Sequence, residues 1–216
     1  VCSSDLLQAG GTLQALGFAD APEGSDSRNW KRQDMTSGEM RAARWVTLDG
    51  TDNPYDDLRK RGNKAGATMF ARGEGIYFGN GMVHFMCTSG GAAGRGQIFR
   101  YAPSRYEGQA GERDEPGRLA LFLESSGADM LDYGDNITVA PWGDMLVCED
   151  NNSKKVANRI LGVTPQGQVY PFAICRTGTD TTGACFSPDG RTLFVNLYSP
   201  GRTLAITGPW RAAARV

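Results

Sequence analysis

The residues of this chain that could do chemistry come as short polar pairs beside apolar runs. Three pairs stand out: Arg72 and Glu74, Asp135 and Asn136, and Glu149 and Asp150. Carboxylate and amide oxygens are hard ligands, which favour Ca²⁺, Mg²⁺ or ferric iron over zinc or copper. Carboxylates brought together repel one another unless a cation offsets their charge. The guanidinium of Arg72 would suit an anion bridging such metals, and phosphate matches its paired donors best.

Each pair also has a simpler interpretation. Arg72 and Glu74 could form a local ion pair at a strand end. The pair at 135–136 could make a turn before a strand, and the pair at 149–150 could end a strand in solvent. The hypothesis of a metal and phosphate site therefore depends on whether the fold brings the pairs together.

Other kinds of site are poorly represented. The chain has one histidine, His84, which leaves a serine-histidine-aspartate triad only one possible base. His84 lies between Met82 and Met86 in an apolar run, and we interpret it as a packed residue. The five cysteines include no C-x-x-C pair, so no zinc ribbon or disulfide framework is indicated.

The elements that must position the pairs are short strands. From residue 67 onward apolar runs alternate with turns, and Asn80-Gly81 in GIYFGNGMVHF is a strong hairpin signal. P-x-G turns begin at Pro141, Pro165 and Pro188, at intervals of 24 and 23 residues. Regular hairpins indicate a repeat architecture.

These strands predict an all-β fold, a β-propeller of about two and a half four-stranded blades out of about six. A β-sandwich is the alternative. We assign residues 45–216 to the partial propeller and 1–44 to a poorly patterned N-terminal segment, of which 1–6 are set aside as extraneous. Because the chain starts without methionine, we interpret it as a fragment.

Propeller geometry makes the three pairs one group. In each blade the innermost strand starts at one rim of the central channel, and the second strand returns to the same rim. The same rim would receive hydroxyls and an amide from Thr88, Ser89, Thr181, Thr182 and Asn196. We therefore expect a polar site at one mouth of the channel.

Charge and hydropathy exclude several partners. The chain has 24 acidic and 23 basic residues, so nothing suggests a nucleic-acid-binding surface. No apolar run is long enough to span a bilayer. The start VCSSDLLQAGG lacks the basic and apolar parts of a signal peptide.

Several blocks resemble the C-terminal part of PhoX-type alkaline phosphatases, from about Trp45 to Trp210: FARGEG, CTSGG, GQIFRY, DNITVAPWGDMLVCED, GVTPQGQVYPFA and GACFSPDGRTLFVNLYSPGRTLAITGPW. The resemblance implies a six-bladed propeller that is exported by the twin-arginine route to the periplasm or beyond. It implies hydrolysis of phosphomonoesters through a cluster of calcium and ferric iron at the channel mouth.

The resemblance also implies roles for residues. Arg72 would be the catalytic contact to the substrate phosphate. Thr88, at the same rim, is a further candidate for substrate binding. Glu74 and Glu149 would be metal ligands, and Asp135, Asn136 and Asp150 would be further ligands. No serine nucleophile or histidine base would be needed.

Two features depart from the family. Where it often has a glutamate before GACFSPDG, this chain has TDTTGACF with Thr181, so we expect one carboxylate fewer in the third blade. No cysteine here matches the family's iron ligand. We expect the 216 residues alone to be inactive and the full-length form to be monomeric. The alternatives are a non-catalytic secreted propeller that binds or scaffolds, and a calcium-dependent lactonase-like propeller.

Overall fold

The computed structural model describes residues 10–151 and 156–210. Almost all of its regular structure is β-strand. The elements are β1 Gln14–Phe18, β2 Ser25–Asp26, β3 Met40–Thr47, α1 Leu58–Lys64, β4 Thr68–Met69, β5 Gly73–Gly79, β6 Met82–Cys87, β7 Gln97–Ala102, a 3-10 helix Ala110–Arg113, β8 Arg118–Glu124, β9 Gly134–Val139, β10 Met145–Glu149, β11 Arg159–Val163, β12 Val169–Ile174, β13 Thr181–Phe186, β14 Thr192–Leu197 and β15 Arg202–Thr207.

The strands form consecutive antiparallel sheets, as the hairpin pattern predicts. Strands β5 to β8 pair in sequence order, β9 to β12 form a second four-stranded sheet, and β13 to β15 form a three-stranded sheet. We call these the first, second and third blades. The all-β prediction and the blade assignment are confirmed.

Apolar layers fill the gaps between neighbouring blades, and strand alternation explains how. On β10, Met145 and Val147 pack in the cluster shared with the first blade. Leu146 and Cys148 pack in the cluster shared with the third blade. Because successive side chains point to opposite faces of a strand, a central blade is apolar on both faces.

The N-terminal segment contains strands that the sequence pattern does not show. β3 pairs with β8 and β1 pairs with β3, which extends the first blade to six strands. A separate apolar cluster joins this segment to the first blade, with Phe18, Met35 and Phe99 at its centre. β3 crosses the boundary predicted at 44/45, which stays a prediction. The segment 1–6 falls outside the described residues.

Candidate functional site

One hydrogen bond recurs at the mouth of all three blades. In each blade, the donor is the backbone amide of the residue that follows the second strand. The acceptor is the backbone carbonyl of the residue that precedes the first strand. The three bonds are Thr88 to Arg72 at 3.1 Å, Asp150 to Tyr133 at 2.9 Å, and Tyr198 to Asp180 at 3.1 Å. The two strand ends of each blade therefore meet at the same rim.

The backbone at two of these positions is strained. Arg72 has φ of 48° and Tyr133 has φ of 53°, in the left-handed region that glycine adopts most easily. A side chain there costs about 1–2 kcal/mol. Each residue is followed by a glycine and then an acid, Gly73-Glu74 and Gly134-Asp135. Such strain is typical of functional positions.

A glycine lets the inner strands of the first two blades touch. A Cβ on Gly75 would lie 2.5 Å from the carbonyl oxygen of Asp135 and 2.7 Å from the amide nitrogen of Ile137. Only a residue without a side chain allows β5 to approach the β9 backbone so closely. This contact brings Glu74 beside Asp135.

Four acidic side chains converge at this rim: Glu74, Asp135, Asp150 and Asp180. We call them the mouth carboxylates. Burial, with the charge of Asp135, raises the pKa of Glu74, while Arg72 acts in the opposite direction. Burial and the neighbouring carboxylates of Asp180, Asp135 and Glu74 raise the pKa of Asp150 to about 6. The mouth thus holds negative charge that its own residues do not fully neutralise.

Arg72 places positive charge beside this group. One of its guanidinium nitrogens lies 3.7 Å from Glu74 Oε1, and its side chain is 66% exposed. The ion-pair alternative for this pair is thus present, but at a long distance. The guanidinium keeps donors directed to solvent for an incoming anion.

Strand alternation separates the members of the other two pairs. Asp135 faces the first blade, whereas the side-chain oxygen of Asn136 accepts a hydrogen bond from the amide of Ala184 in the third blade, at 2.8 Å. Asp150 faces Asp180. Asn136 therefore ties β9 to β13, and its assignment as a metal ligand stays a prediction.

Glu149 faces the other way from Asp150 and is fully buried. Its carboxylate accepts hydrogen bonds from Arg159 Nε at 2.7 Å and Nη2 at 2.6 Å. The amides of Asp132 and Arg159 donate to it at 2.8 and 3.1 Å. The structure does not bring Glu149 into the group of mouth carboxylates. Its assignment as a ligand stays a prediction that would require these contacts to change.

Two further residues considered in the sequence analysis, Thr88 and His84, are buried. Thr88 is 4% exposed, and its role in phosphate binding stays a prediction. His84 is 1% exposed, with Nε2 lying 3.2 Å from the carbonyl oxygen of Gly79 at the opposite rim. Burial, followed by the charge of Arg100, lowers the pKa of His84. His84 is a packed residue, as the sequence indicates.

The third blade still contributes a carboxylate to the rim, although Thr181 stands where the family often has a glutamate. Asp180, one residue before Thr181, supplies it and is held by a 2.7 Å hydrogen bond from the side-chain nitrogen of Asn158; the loss of the family's glutamate as a ligand stays a prediction. The position of Asp180 directly before the first strand of a blade, like that of Arg72, was the signal available in the sequence. The sequence does not indicate that Arg159 binds Glu149, because the two residues lie on different strands.

The donor set suits a hard cation. In the described residues no three His, Cys, Asp or Glu side chains stand ready-made around one point. The mouth carboxylates nevertheless offer oxygen ligands only, and Asp150 Oδ1 is buried without a hydrogen-bond partner. A bound cation would satisfy that oxygen and offset the repulsion. These residues therefore fit an oxygen-liganded metal.

Comparison with protein families identifies the lineage. The model of the family described as alkaline phosphatase PhoX matches residues 3–201. The chain belongs to the PhoX family. The match includes the N-terminal segment as well as the blades.

A solved PhoX structure shows the same fold. Pseudomonas fluorescens PhoX, in complex with vanadate, a transition state analogue, shares 20% sequence identity with this chain at a TM-score of 0.61. The alignment covers 88% of this chain and 40% of that one, so the chain spans less than half the length of this relative. No curated protein matches the chain. Among the described residues, no helix has the length and apolar character needed to cross a membrane.

Proposed function

We propose that this chain forms part of a metal-dependent phosphomonoester hydrolase, with its site at the propeller mouth. The observation that carries the proposal is the convergence of Glu74, Asp135, Asp150 and Asp180 beside the exposed guanidinium of Arg72. Membership of the PhoX family supports the same activity. We propose calcium and ferric iron as the metals, held by these carboxylates with Asn136 as a further predicted ligand; Glu149 would join them only if its contacts with Arg159 changed.

The chain's own residues would divide the work. The two planar donor groups of Arg72 bind two oxygens of a phosphate and hold its phosphorus in place for in-line attack. Glu74 limits the directions that this guanidinium can take. When bound, the cations supply Lewis-acid stabilisation of charge that develops on the phosphoryl oxygens. His84 has no part in this chemistry because it is buried near the opposite rim.

Other features of the proposal concern the whole protein. We propose that its substrates are small phosphomonoesters and that it is exported by the twin-arginine route to the periplasm or beyond. We expect the full-length form to be monomeric. We also expect the 216 residues alone to show no turnover.

The test uses the full-length polypeptide with p-nitrophenyl phosphate, with and without a chelator. Chelator-sensitive turnover is expected, with metal in elemental analysis. Asp180→Asn should lower both metal content and turnover, whereas Asp114→Asn, at an exposed position far from the mouth, should change neither. Activity that survives full removal of metal would contradict the proposal. Phosphate binding without turnover would favour a non-catalytic propeller, and hydrolysis of lactones alone would favour the lactonase-like alternative.

A further inference from the structure

Tyr133 occupies the place in the second blade that Arg72 occupies in the first. Both residues precede a glycine and an acid, both have left-handed backbone, and both accept a hydrogen bond from the amide that ends the second strand. Two residues after Tyr133, Asp135 interacts with Glu74, which in turn lies 3.7 Å from Arg72. An aromatic residue and an arginine therefore hold equivalent positions on neighbouring blades of one mouth.

The ring of Tyr133 is fixed from one side. The guanidinium carbon of Arg95 lies 4.9 Å from the ring centroid. Arg95 is held in turn by an ion pair of 2.7 Å with Asp132, whose side chain is 8% exposed. The amide of Tyr133 donates to the Arg95 carbonyl oxygen at 3.0 Å, so the ring and its support form one unit. Tyr133 itself is half-buried.

The chemistry of a phosphomonoester gives this ring a role. If Arg72 binds the phosphate, the organic part of the ester must lie against another surface of the mouth. The mouth carboxylates offer charge but no apolar area, whereas an aromatic ring offers a flat apolar face.

We propose that Tyr133 is a specificity-determining residue, whose ring contacts the organic group of the substrate and favours aryl over small alkyl phosphomonoesters. This inference rests on the proposed function, because it takes the phosphate to be bound at Arg72. A purely structural role for Tyr133, as an anchor for Arg95, makes a different prediction. Loss of the ring would then impair all substrates equally.

The experiment compares phenyl phosphate with glycerol 2-phosphate as substrates of the full-length protein. Tyr133→Gly removes the ring, and glycine suits the left-handed backbone there, so folding is favoured. We expect the ratio of the two kcat/KM values, aryl over alkyl, to fall about three- to tenfold, the fold-change that one aromatic contact is worth. The fall should lie mainly in KM, with inhibition by inorganic phosphate unchanged.

Matched variants sharpen the test. Tyr133→Phe keeps the ring and should keep the parental ratio. Tyr106→Gly removes another half-buried tyrosine with an arginine over its ring, Arg105 at 4.7 Å, and should leave the ratio unchanged. An unchanged ratio in Tyr133→Gly, with both esters still hydrolysed, overturns this inference and leaves the proposed function intact. Failure of the parent protein to hydrolyse either ester refutes the proposed function, and this inference falls with it.

Discussion

The buried pair of Glu149 and Arg159 gives the sharpest prediction about stability. Replacing Arg159 by methionine removes two charge-assisted hydrogen bonds, at 2.6 and 2.7 Å, from a carboxylate that is 0% exposed. The carboxylate keeps only its two backbone donors. Removing one partner of a buried ion pair costs about 3–5 kcal/mol, because the other charge stays buried without compensation.

The assay is thermal or urea unfolding of the full-length protein. Arg159→Met should lower the free energy of unfolding by about 3–5 kcal/mol, obtained from the urea midpoint and slope. Arg118→Met, at an exposed position on β8, is the matched control and should stay within about 0.5 kcal/mol of the parent. Adding Glu149→Gln to Arg159→Met removes the buried charge but keeps an acceptor for only one of the two amides, so it should recover part of the loss.

The same measurement tests the predicted role of Glu149 as a metal ligand. If Arg159 is its partner, the cost should be equal in metal-loaded and chelated protein. A loss below about 1 kcal/mol in the metal-loaded form, but large after chelation, would refute the buried-pair account. It would indicate that a cation holds Glu149 instead.

Three further predictions concern packing, titration and reactivity. Gly75→Ala should cost at least about 2 kcal/mol in unfolding experiments, because its Cβ would meet backbone atoms, whereas Gly73→Ala, with open space at that site, should cost far less. Burial and the hydrogen bond to Asp144 raise the pKa of Tyr170 to about 12. This raised pKa contributes stability that is complete below pH 10 and is lost as the pH rises to 12. Tyr170→Phe should therefore lose less stability than the parent between pH 10 and 12 in unfolding experiments, and an equal loss would contradict the contact. Iodoacetamide at pH 8 should spare Cys148 in the folded protein and modify it after unfolding in urea, because this thiol is buried and burial raises its pKa to about 11; peptide mass mapping decides, and equally fast labelling in both states would contradict this.

Turn chemistry made the blades predictable. The Asn80-Gly81 hairpin and the three P-x-G turns fix where strands end, and the observed strands β5 to β15 follow that punctuation closely. β1 and β3 were not predicted, because their sequences lack clear alternation of apolar and polar residues. In β3, for instance, polar and apolar side chains follow no period of two, and its pairing with β8 joins distant segments.

The sequence predicted which end of the blades carries the polar residues, but not the side of the strand to which each side chain points. Neighbouring residues on an extended strand point to opposite sides, so Glu149 and Asp150 cannot both reach one point. The sequence pattern of β10 contains this information, since Glu149 continues the series of Met145 and Val147. Asp180 lies one position before the strand, so the pattern of the strand itself does not indicate its carboxylate.

The two glycines of β5 have a consequence for motion. Gly75 rests on the backbone of β9, and a Cβ on Gly79 would lie 2.6 Å from a side-chain carbon of Val139, so the first two blades mesh along the length of their inner strands. Blades in such contact cannot slide past each other without separating first. We therefore expect the boundary between these two blades to stay closed when the channel changes shape, with Arg72 and Tyr133 moving together.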